Sequence, residues 1–158
     1  MSRPNQILQV FKFGGAALHN ADAVNNVIRI ISAHNSNALL VVVSAMGKMT
    51  NQLETVINAH ISGNTEIRDQ QLQSFFNFHE ELVNQLFDEK TQDLAQDIHN
   101  LKTTLLWCLD EHLSTPDAIY DQLIVFGELF SSTIVFHALR KHQVNTSLVD
   151  IRNVIKTD

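Results

Sequence analysis

The chain has 158 residues, of which 44% are apolar and 18% are charged. This composition supports the core of one compact domain and argues against intrinsic disorder. The formal charge of −6, from 17 acidic and 11 basic residues, argues against nucleic-acid binding, which needs a basic face. A single cysteine, Cys108, excludes an internal disulfide. It fits a reducing compartment. We expect a cytoplasmic protein without a membrane partner, because neither end carries an apolar run of spanning length.

The first elements in chain order are a strand, a helix and a second strand. Ile7 to Phe13 is rich in β-branched and aromatic residues and ends at Gly14-Gly15, which indicates a strand. Apolar residues then recur at helical spacing from Ala21 to His34, with Asn20 as a suitable N-cap. Ala38 to Ser44 is almost wholly apolar, as in a strand buried on both faces of a parallel sheet. This order predicts a right-handed βαβ unit.

Helices follow the second strand. Thr50 is suited to cap the first of them. The next two carry apolar stripes over Leu72 to Leu86 and over Leu94 to His112. We predict that these two pair antiparallel, as a helical hairpin over about residues 66–113.

The last third predicts one more helix and one more strand. Thr115 and Pro116 form a helix-start signal, and that helix should continue to about Lys141. Thr146 to Ile151 has the composition of a short third strand. No linker or repeat interrupts the sequence, so residues 1–158 predict a single layered α/β unit with a mainly parallel sheet. Three strands are few for this class, which suggests an incomplete fold.

Glycine and lysine follow both N-terminal strands. In an open parallel sheet, ligands bind outside the carboxyl ends of the strands. Gly14 and Gly15 allow an anion to approach the backbone closely, and Lys12 adds a mobile positive charge. Gly47 and Lys48 repeat the pattern after the second strand. The alternative is an ordinary tight turn with a solvated lysine.

The segment after the second strand carries several hydrogen-bonding groups. Ser44 and Thr50 supply hydroxyls, Asn51 supplies an amide, and a helix start supplies free N–H groups. This set suits a carboxylate or a phosphate. Alternatively, Thr50 only caps its own helix, and the two roles are compatible.

Glu128 is the one charged residue in an otherwise apolar stretch from Ile124 to Phe130. It is either solvated at a helix edge or buried, and a buried carboxylate needs a partner. Gly127 before it suggests that some group approaches the backbone closely. The ammonium group of a ligand would suit Glu128, and a structural salt bridge is the alternative.

The histidines give no metal-binding pattern. The eight of them are scattered, without an H-x-H or H-x-x-x-H pair, and they are accompanied by only one cysteine. We therefore predict no metal site made by this chain.

Four segments together resemble the aspartate kinases. Lys12-Phe13-Gly14-Gly15 is similar to the K-F-G-G that opens those enzymes. The run from Val42 to Asn51 resembles their V-S-A-M-G followed by T-[ND], and Phe126 to Ser131 resembles their G-E-L-x-S helix. The end of the chain, from Asp150-Ile151-Arg152 to Thr157-Asp158, is similar to their D-x-R…T-[DN]. The order of the four motifs makes the resemblance specific.

The resemblance implies the amino-acid kinase fold, a three-layer α/β/α sandwich. It implies transfer of the ATP γ-phosphoryl to the side-chain carboxylate of L-aspartate, the first step towards lysine, threonine and methionine. Lys12 would be the catalytic cation, and Glu128 would hold the aspartate amino group. Ser44 and Thr50 would contact aspartate or the phosphate, with Thr50 assigned to the substrate. The remaining assignment is a phosphate-binding set: Gly14, Gly15, Ala16, Ser44 and Gly47.

Two features depart from the family pattern. Ala16 and Ala17 stand where the family usually has Thr-Ser, so two hydroxyls are missing. The family also continues into a nucleotide-binding half and ACT domains, which this sequence does not contain. We therefore expect ATP and Mg²⁺ only in the full enzyme, and no activity from the 158 residues alone. The alternatives are a non-catalytic remnant that binds a small amino acid or a protein partner, and a helical interaction module. An uncovered sheet should also make the chain self-associate, as a homodimer.

Overall fold

The computed structural model describes residues 8–34, 38–111 and 115–155, which form a mostly helical protein with a small parallel sheet. Two strands and six helices occupy these ranges. They are β1 Gln9–Phe13, α1 Ala21–Ala33, β2 Leu39–Val43, α2 Met49–Ile61, α3 Thr65–Leu86, α4 Gln92–Asp110, α5 Pro116–Ile124 and α6 Phe126–Lys141. Short 3₁₀ helices cover Gly15–Leu18 and Ile151–Asn153.

The βαβ unit forms as predicted. β1 and β2 are parallel, with Gln9 opposite Leu39 and Phe13 opposite Val43. Asn20 caps α1, since its side-chain oxygen accepts a hydrogen bond of 2.8 Å from the backbone N–H of Ala23. Because the strands are parallel, their carboxyl ends lie at the same edge of the sheet.

α6 belongs to both apolar clusters of the core. Its second half packs with α1 and with the inner face of the sheet, through residues such as Ile134 and Ala138. Its first half packs with α2, α3, α4 and α5, where Phe75 and Phe130 are fully buried. The two rings meet edge to face, with centroids 5.3 Å apart. The first turn of α6 is therefore held in a fixed position beside β2.

Only one face of the sheet is covered, so the prediction that Ala38–Ser44 is buried on both faces is wrong. Val10, Leu40 and Val42 point away from the core and are 58%, 48% and 43% exposed. In the described part of the chain, no helix packs over that face. The apolar composition of β2 is therefore not matched by burial here.

The predicted third strand, Thr146–Ile151, is also wrong. Residues 144–150 form no regular structure, and Ile151 begins a 3₁₀ helix. Leu148 and Val149 are 43% and 63% exposed. A strand is stabilised by the hydrogen bonds of a neighbouring strand. No described strand pairs with this segment.

The helices match the predictions except at their ends. Thr115 caps α5, since its hydroxyl oxygen accepts from the backbone N–H of Ala118 at 3.2 Å. The predicted single helix to Lys141 is instead two helices, which meet at Val125. α4 ends at Asp110, and His112 lies outside the described residues.

Side chains of α3 and α4 contact each other, and the antiparallel hairpin over about residues 66–113 stays a prediction. Lys102, far along α4, contacts the middle of α3: its Nζ lies 5.2 Å from the centroid of the Phe76 ring and 3.7 Å from a carboxylate oxygen of Glu80. Val83, further along α3, shares a cavity with Leu94 near the start of α4.

One segment of the described chain, Pro116–Lys141, is long and apolar enough to cross a membrane by length and composition. Its most apolar window is 61% buried within the protein. It consists of α5 and α6, and α6 lies at the centre of the core. Burial of this kind is the pattern of a core helix.

Candidate functional site at the strand ends

The loops that follow β1 and β2 are joined by backbone hydrogen bonds. The N–H of Ser44 donates to the carbonyl of Phe13 at 3.0 Å, which extends the sheet by one bond. The N–H of Gly47 donates to the carbonyl of Gly15, also at 3.0 Å. The two glycine-containing loops therefore form one continuous surface at the carboxyl edge of the sheet.

This junction requires glycine at two positions. A Cβ on Gly15 would lie 2.7 Å from the carbonyl oxygen of Gly47 and 2.8 Å from that of Ala45. Both distances are too short for a side chain, and both neighbours are backbone atoms. Gly47 has φ +53°, in the left-handed region that favours glycine.

The ammonium group of Lys12 lies beside the first loop. Its Nζ would be 3.3 Å from a Cβ on Gly14, so it lies directly over that glycine. Lys12 is an exposed residue of β1 on the face of the sheet that the core does not cover. The absence of a side chain at Gly14 leaves room for the ammonium group of Lys12.

The second loop leads into a helix without a side-chain cap. α2 starts at Met49, with Lys48 at the cap position and no capping side chain. The prediction that Thr50 caps this helix is therefore wrong, because Thr50 is already its second residue. An uncapped N-terminus leaves backbone N–H groups and the positive end of the helix dipole available to an anion.

Glu128 lies in the first turn of α6, against the second loop. Its Oε1 is 3.4 Å from the backbone nitrogen of Ala45, which donates to it. Gly127 explains this approach, because a Cβ there would lie 2.8 Å from the Cβ of Ala45. The glycine at 127 thus marks a close backbone contact, as predicted. Glu128 itself is exposed and makes no salt bridge among the described residues, so it is neither buried nor part of a structural pair.

The other two assigned residues belong to the same loops. Ala16 is exposed in the 3₁₀ helix after β1, and its carbonyl oxygen lies 2.6 Å from Nδ1 of His19. Ser44 is half-buried and directly follows β2. All eight residues assigned from the sequence therefore belong to three segments that the fold brings together: the end of β1 with its loop, the loop after β2 with the first turn of α2, and the first turn of α6.

Three neighbours of this site were not predicted from the sequence. His19 and Phe78 approach Gly47, each 3.8 Å from the place of its missing Cβ. The hydroxyl of Tyr120 donates to Glu54 at 3.2 Å. Desolvation, that hydrogen bond and the negative charges of Glu54, Asp121 and Glu128 raise the pKa of Tyr120. Nothing in the local sequence marks these residues, because helices distant in the chain supply two of them.

The fourth motif makes a local ion pair. Arg152 binds both carboxylate oxygens of Asp150, with Nη2 2.6 Å from Oδ2 and Nε 3.0 Å from Oδ1. The hydrogen bonds from Arg152 lower the pKa of Asp150. Thr157 and Asp158, the end of this motif, lie outside the described residues.

The site combines a cation, the uncapped start of α2 and a carboxylate at one edge of the sheet. Such a set can bind an anionic group at the loops and a cationic group at Glu128. Among residues 8–34, 38–111 and 115–155, no three His, Cys, Asp or Glu side chains come together as a group that could hold a metal ion.

The sequence of the chain matches a known family. The model of the amino acid kinase family matches residues 8–158, and the chain belongs to that family. Its relatives within the family are aspartokinases. It is 28% identical to lysine-sensitive aspartokinase 3 of Escherichia coli (strain K12) over 154 residues, which cover 94% of this chain and 32% of that protein. It is 30% identical to the chloroplastic bifunctional aspartokinase/homoserine dehydrogenase 2 of Arabidopsis thaliana over 158 residues, which cover 95% of this chain and 17% of that protein.

A solved structure shows the same fold. The crystal structure of E. coli aspartokinase III in complex with aspartate and ADP, in the R-state, superposes with a TM-score of 0.79 at 27% sequence identity. The superposition covers 94% of this chain and 32% of that one. The chain therefore spans between about a sixth and a third of the length of these relatives.

Proposed function

We propose that these 158 residues form the aspartate- and phosphoryl-binding part of an aspartokinase, within a complete three-layer α/β/α sandwich. The observation that supports this most is the convergence of three distant segments on one surface. The N–H of Gly47 donates a hydrogen bond to the carbonyl of Gly15, which joins the two loops. Glu128 lies against Ala45 in the second of these loops. Glu128 is separated by 83 residues from Ala45, so this geometry is a property of the fold.

Each side chain has a proposed role in phosphoryl transfer. Glu128 accepts hydrogen bonds from the ammonium group of L-aspartate, and Thr50 with the start of α2 orients its carboxylates. Lys12 stabilises negative charge on the transferred phosphoryl group, and the backbone N–H groups of Gly14, Gly15 and Ala16 hold its oxygens together with the hydroxyl of Ser44. Gly47 holds the two loops together, since its own N–H already donates to Gly15. Catalysis of this kind depends on positioning and electrostatics.

ATP would supply the phosphoryl group, with Mg²⁺ carried on its phosphates. Its terminal phosphate would bind beside the ammonium group of Lys12, which lies over Gly14. The relatives are three to six times longer than this chain. We therefore propose that the adenosine contacts come from the part of the enzyme that these residues do not span, and that this chain alone does not turn over ATP.

One observation favours the non-catalytic alternative. Ala16 is exposed at the loop where the family usually carries a hydroxyl. Without that hydroxyl, the loop could still bind a ligand but would not catalyse phosphoryl transfer. Under that alternative the chain still binds a small amino acid, and the choice of ligand separates the two proposals.

Titration of the chain with L-aspartate, followed by ¹H–¹⁵N NMR, tests the proposal. We expect millimolar binding with shifts in the two loops and in the first turn of α6. Glu128→Gln should weaken it about tenfold, since hydrogen bonds to charged groups contribute roughly 1.5 kcal/mol or more. Glu81→Gln, an exposed site on α3, is the matched control. Tighter binding of an unrelated amino acid would favour the remnant, and shifts confined to other surfaces would refute both proposals.

Alanine substitutions at Gly14 and Gly15 provide a second test of the site. Gly15→Ala introduces a methyl group against two backbone oxygens, so the loops must separate and aspartate binding should be lost. Gly14→Ala meets only the flexible end of Lys12 at 3.3 Å and should retain binding. Equal binding by the two variants would mean that the loop junction does not form the site.

A further inference from the structure

A pocket lies between α3 and α4, in a part of the fold that none of the four motifs reaches. Its volume is about 180 Å³. At roughly 30 Å³ per water, that is room for about six waters, or for a small organic molecule. The pocket is open at the surface and shares no residue with the candidate site at the strand ends.

The floor of the pocket is apolar. Val83 of α3 and Leu94 of α4 are 3% and 0% exposed, and the half-buried Ile98 lies beside them. Ala95 lines the pocket next to Leu94 and is itself exposed. A compact branched aliphatic group matches this floor in size and polarity.

The rim of the pocket carries two ammonium groups, one carboxylate and the exposed imidazole of His99. Nζ of Lys102 is 3.7 Å and Nζ of Lys90 is 4.0 Å from the two oxygens of Glu80. Both distances exceed hydrogen-bond length, so one half-exposed carboxylate is shared loosely between two cations. The rim therefore has a net positive charge in a chain whose formal charge is −6.

From this arrangement we infer that the pocket binds a small monocarboxylate with a short branched apolar tail. The tail lies on Val83, Leu94 and Ile98, and the carboxylate bridges Lys90 and Lys102 in place of the loose contacts to Glu80. The chemistry is shared by simple branched carboxylic acids and by branched-chain amino acids. Only the amino acids carry an ammonium group, and that group would lie near Glu80.

Titration with sodium 3-methylbutanoate by ¹H–¹⁵N NMR tests the inference, with sodium chloride at equal ionic strength as the blank. We expect saturable millimolar shifts confined to the facing sides of α3 and α4. Lys102→Met or Lys90→Met should weaken binding about threefold to tenfold, the loss of one charge-assisted contact. Arg29→Met, an exposed cation of α1, should leave it unchanged. Ala95→Phe should block binding by filling the mouth without altering a buried residue.

Glu80→Gln distinguishes the two sources of ligand. A plain carboxylate loses a competing negative charge, so its affinity should rise about twofold to fivefold. L-Leucine would lose the partner of its ammonium group, so its affinity should fall if the amino acid is the ligand. Shifts that follow ionic strength alone, or binding that survives both lysine substitutions and Ala95→Phe, would overturn the inference. Aspartate binding at the strand ends is measured separately, and neither result depends on the other.

Discussion

Acid should destabilise this protein through His79, a buried histidine of α3. The side chain is 1% exposed and packs between Phe75, Phe78 and Phe130, with ring centroids 4.4 to 5.2 Å away. Its Nδ1 lies 2.8 Å from the carbonyl oxygen of Phe75, while its Nε2 has no hydrogen-bond partner in the described part of the chain. Burial, with a smaller effect of the positive charge of Lys102, lowers the pKa of His79 to about 4.

The direction of the effect follows from proton binding. In the unfolded chain His79 takes up a proton near its ordinary pKa of 6.5, whereas in the folded protein it stays neutral down to about pH 4. The free energy of unfolding is therefore unaffected well above pH 6.5 and falls as the pH drops through that value. At about pH 5 the loss is about 2 kcal/mol, and below about pH 4 it levels off near 3 kcal/mol.

Urea unfolding at about pH 7.5 and about pH 5 measures this loss. His79→Leu keeps an apolar group of similar size and removes the proton site. Its stability should fall by about 2 kcal/mol less than that of the natural sequence over the same interval. The pKa of His60 is also lowered by burial, but it contributes equally to both proteins. His142→Gln, at an exposed position, should behave like the natural sequence. Equal pH dependence of the natural sequence and His79→Leu would refute the reasoning.

Three further outcomes test the packing around the site and the open faces of the fold. Gly127→Ala should destabilise the protein by up to about 2 kcal/mol, since overpacking against Ala45 outweighs the gain in helix propensity. The pair Gly127→Ala with Ala45→Gly should recover most of that loss in thermal unfolding, and additive losses would mean that the two do not touch. We propose that the chain self-associates through the uncovered sheet face, so Val10→Lys with Val42→Lys should shift it to monomer in analytical ultracentrifugation; an unchanged distribution would exclude that face. Thr115→Ala should cost about 1 kcal/mol, or about 2–4 °C in Tm, by removing the cap of α5, and an unchanged Tm would mean that the cap contributes nothing.

Local sequence determined the elements and the positions of the motifs. Helical spacing of apolar residues located α1, α3 and α4, and the capping residues Asn20 and Thr115 fixed two helix starts through a contact three residues away. These interactions are short in sequence, so they can be read from a few neighbouring letters. Gly127 likewise indicated a close backbone contact. Gly15 was predicted to admit an anion, but the structure places the carbonyl oxygens of Ala45 and Gly47 beside it.

Tertiary structure alone decided what surrounds those elements. β2 has the composition of a strand covered on both sides, yet the described chain covers one side, because burial depends on which other segments are present. Residues 146–151 have the composition of a strand and form none, because a strand needs a neighbour to hydrogen-bond with. The partner of Gly127 is Ala45, and the pocket between α3 and α4 arises from the way two helices pack. Contacts between residues far apart in the chain leave no signal in the residues that surround either partner, so only the folded chain shows them.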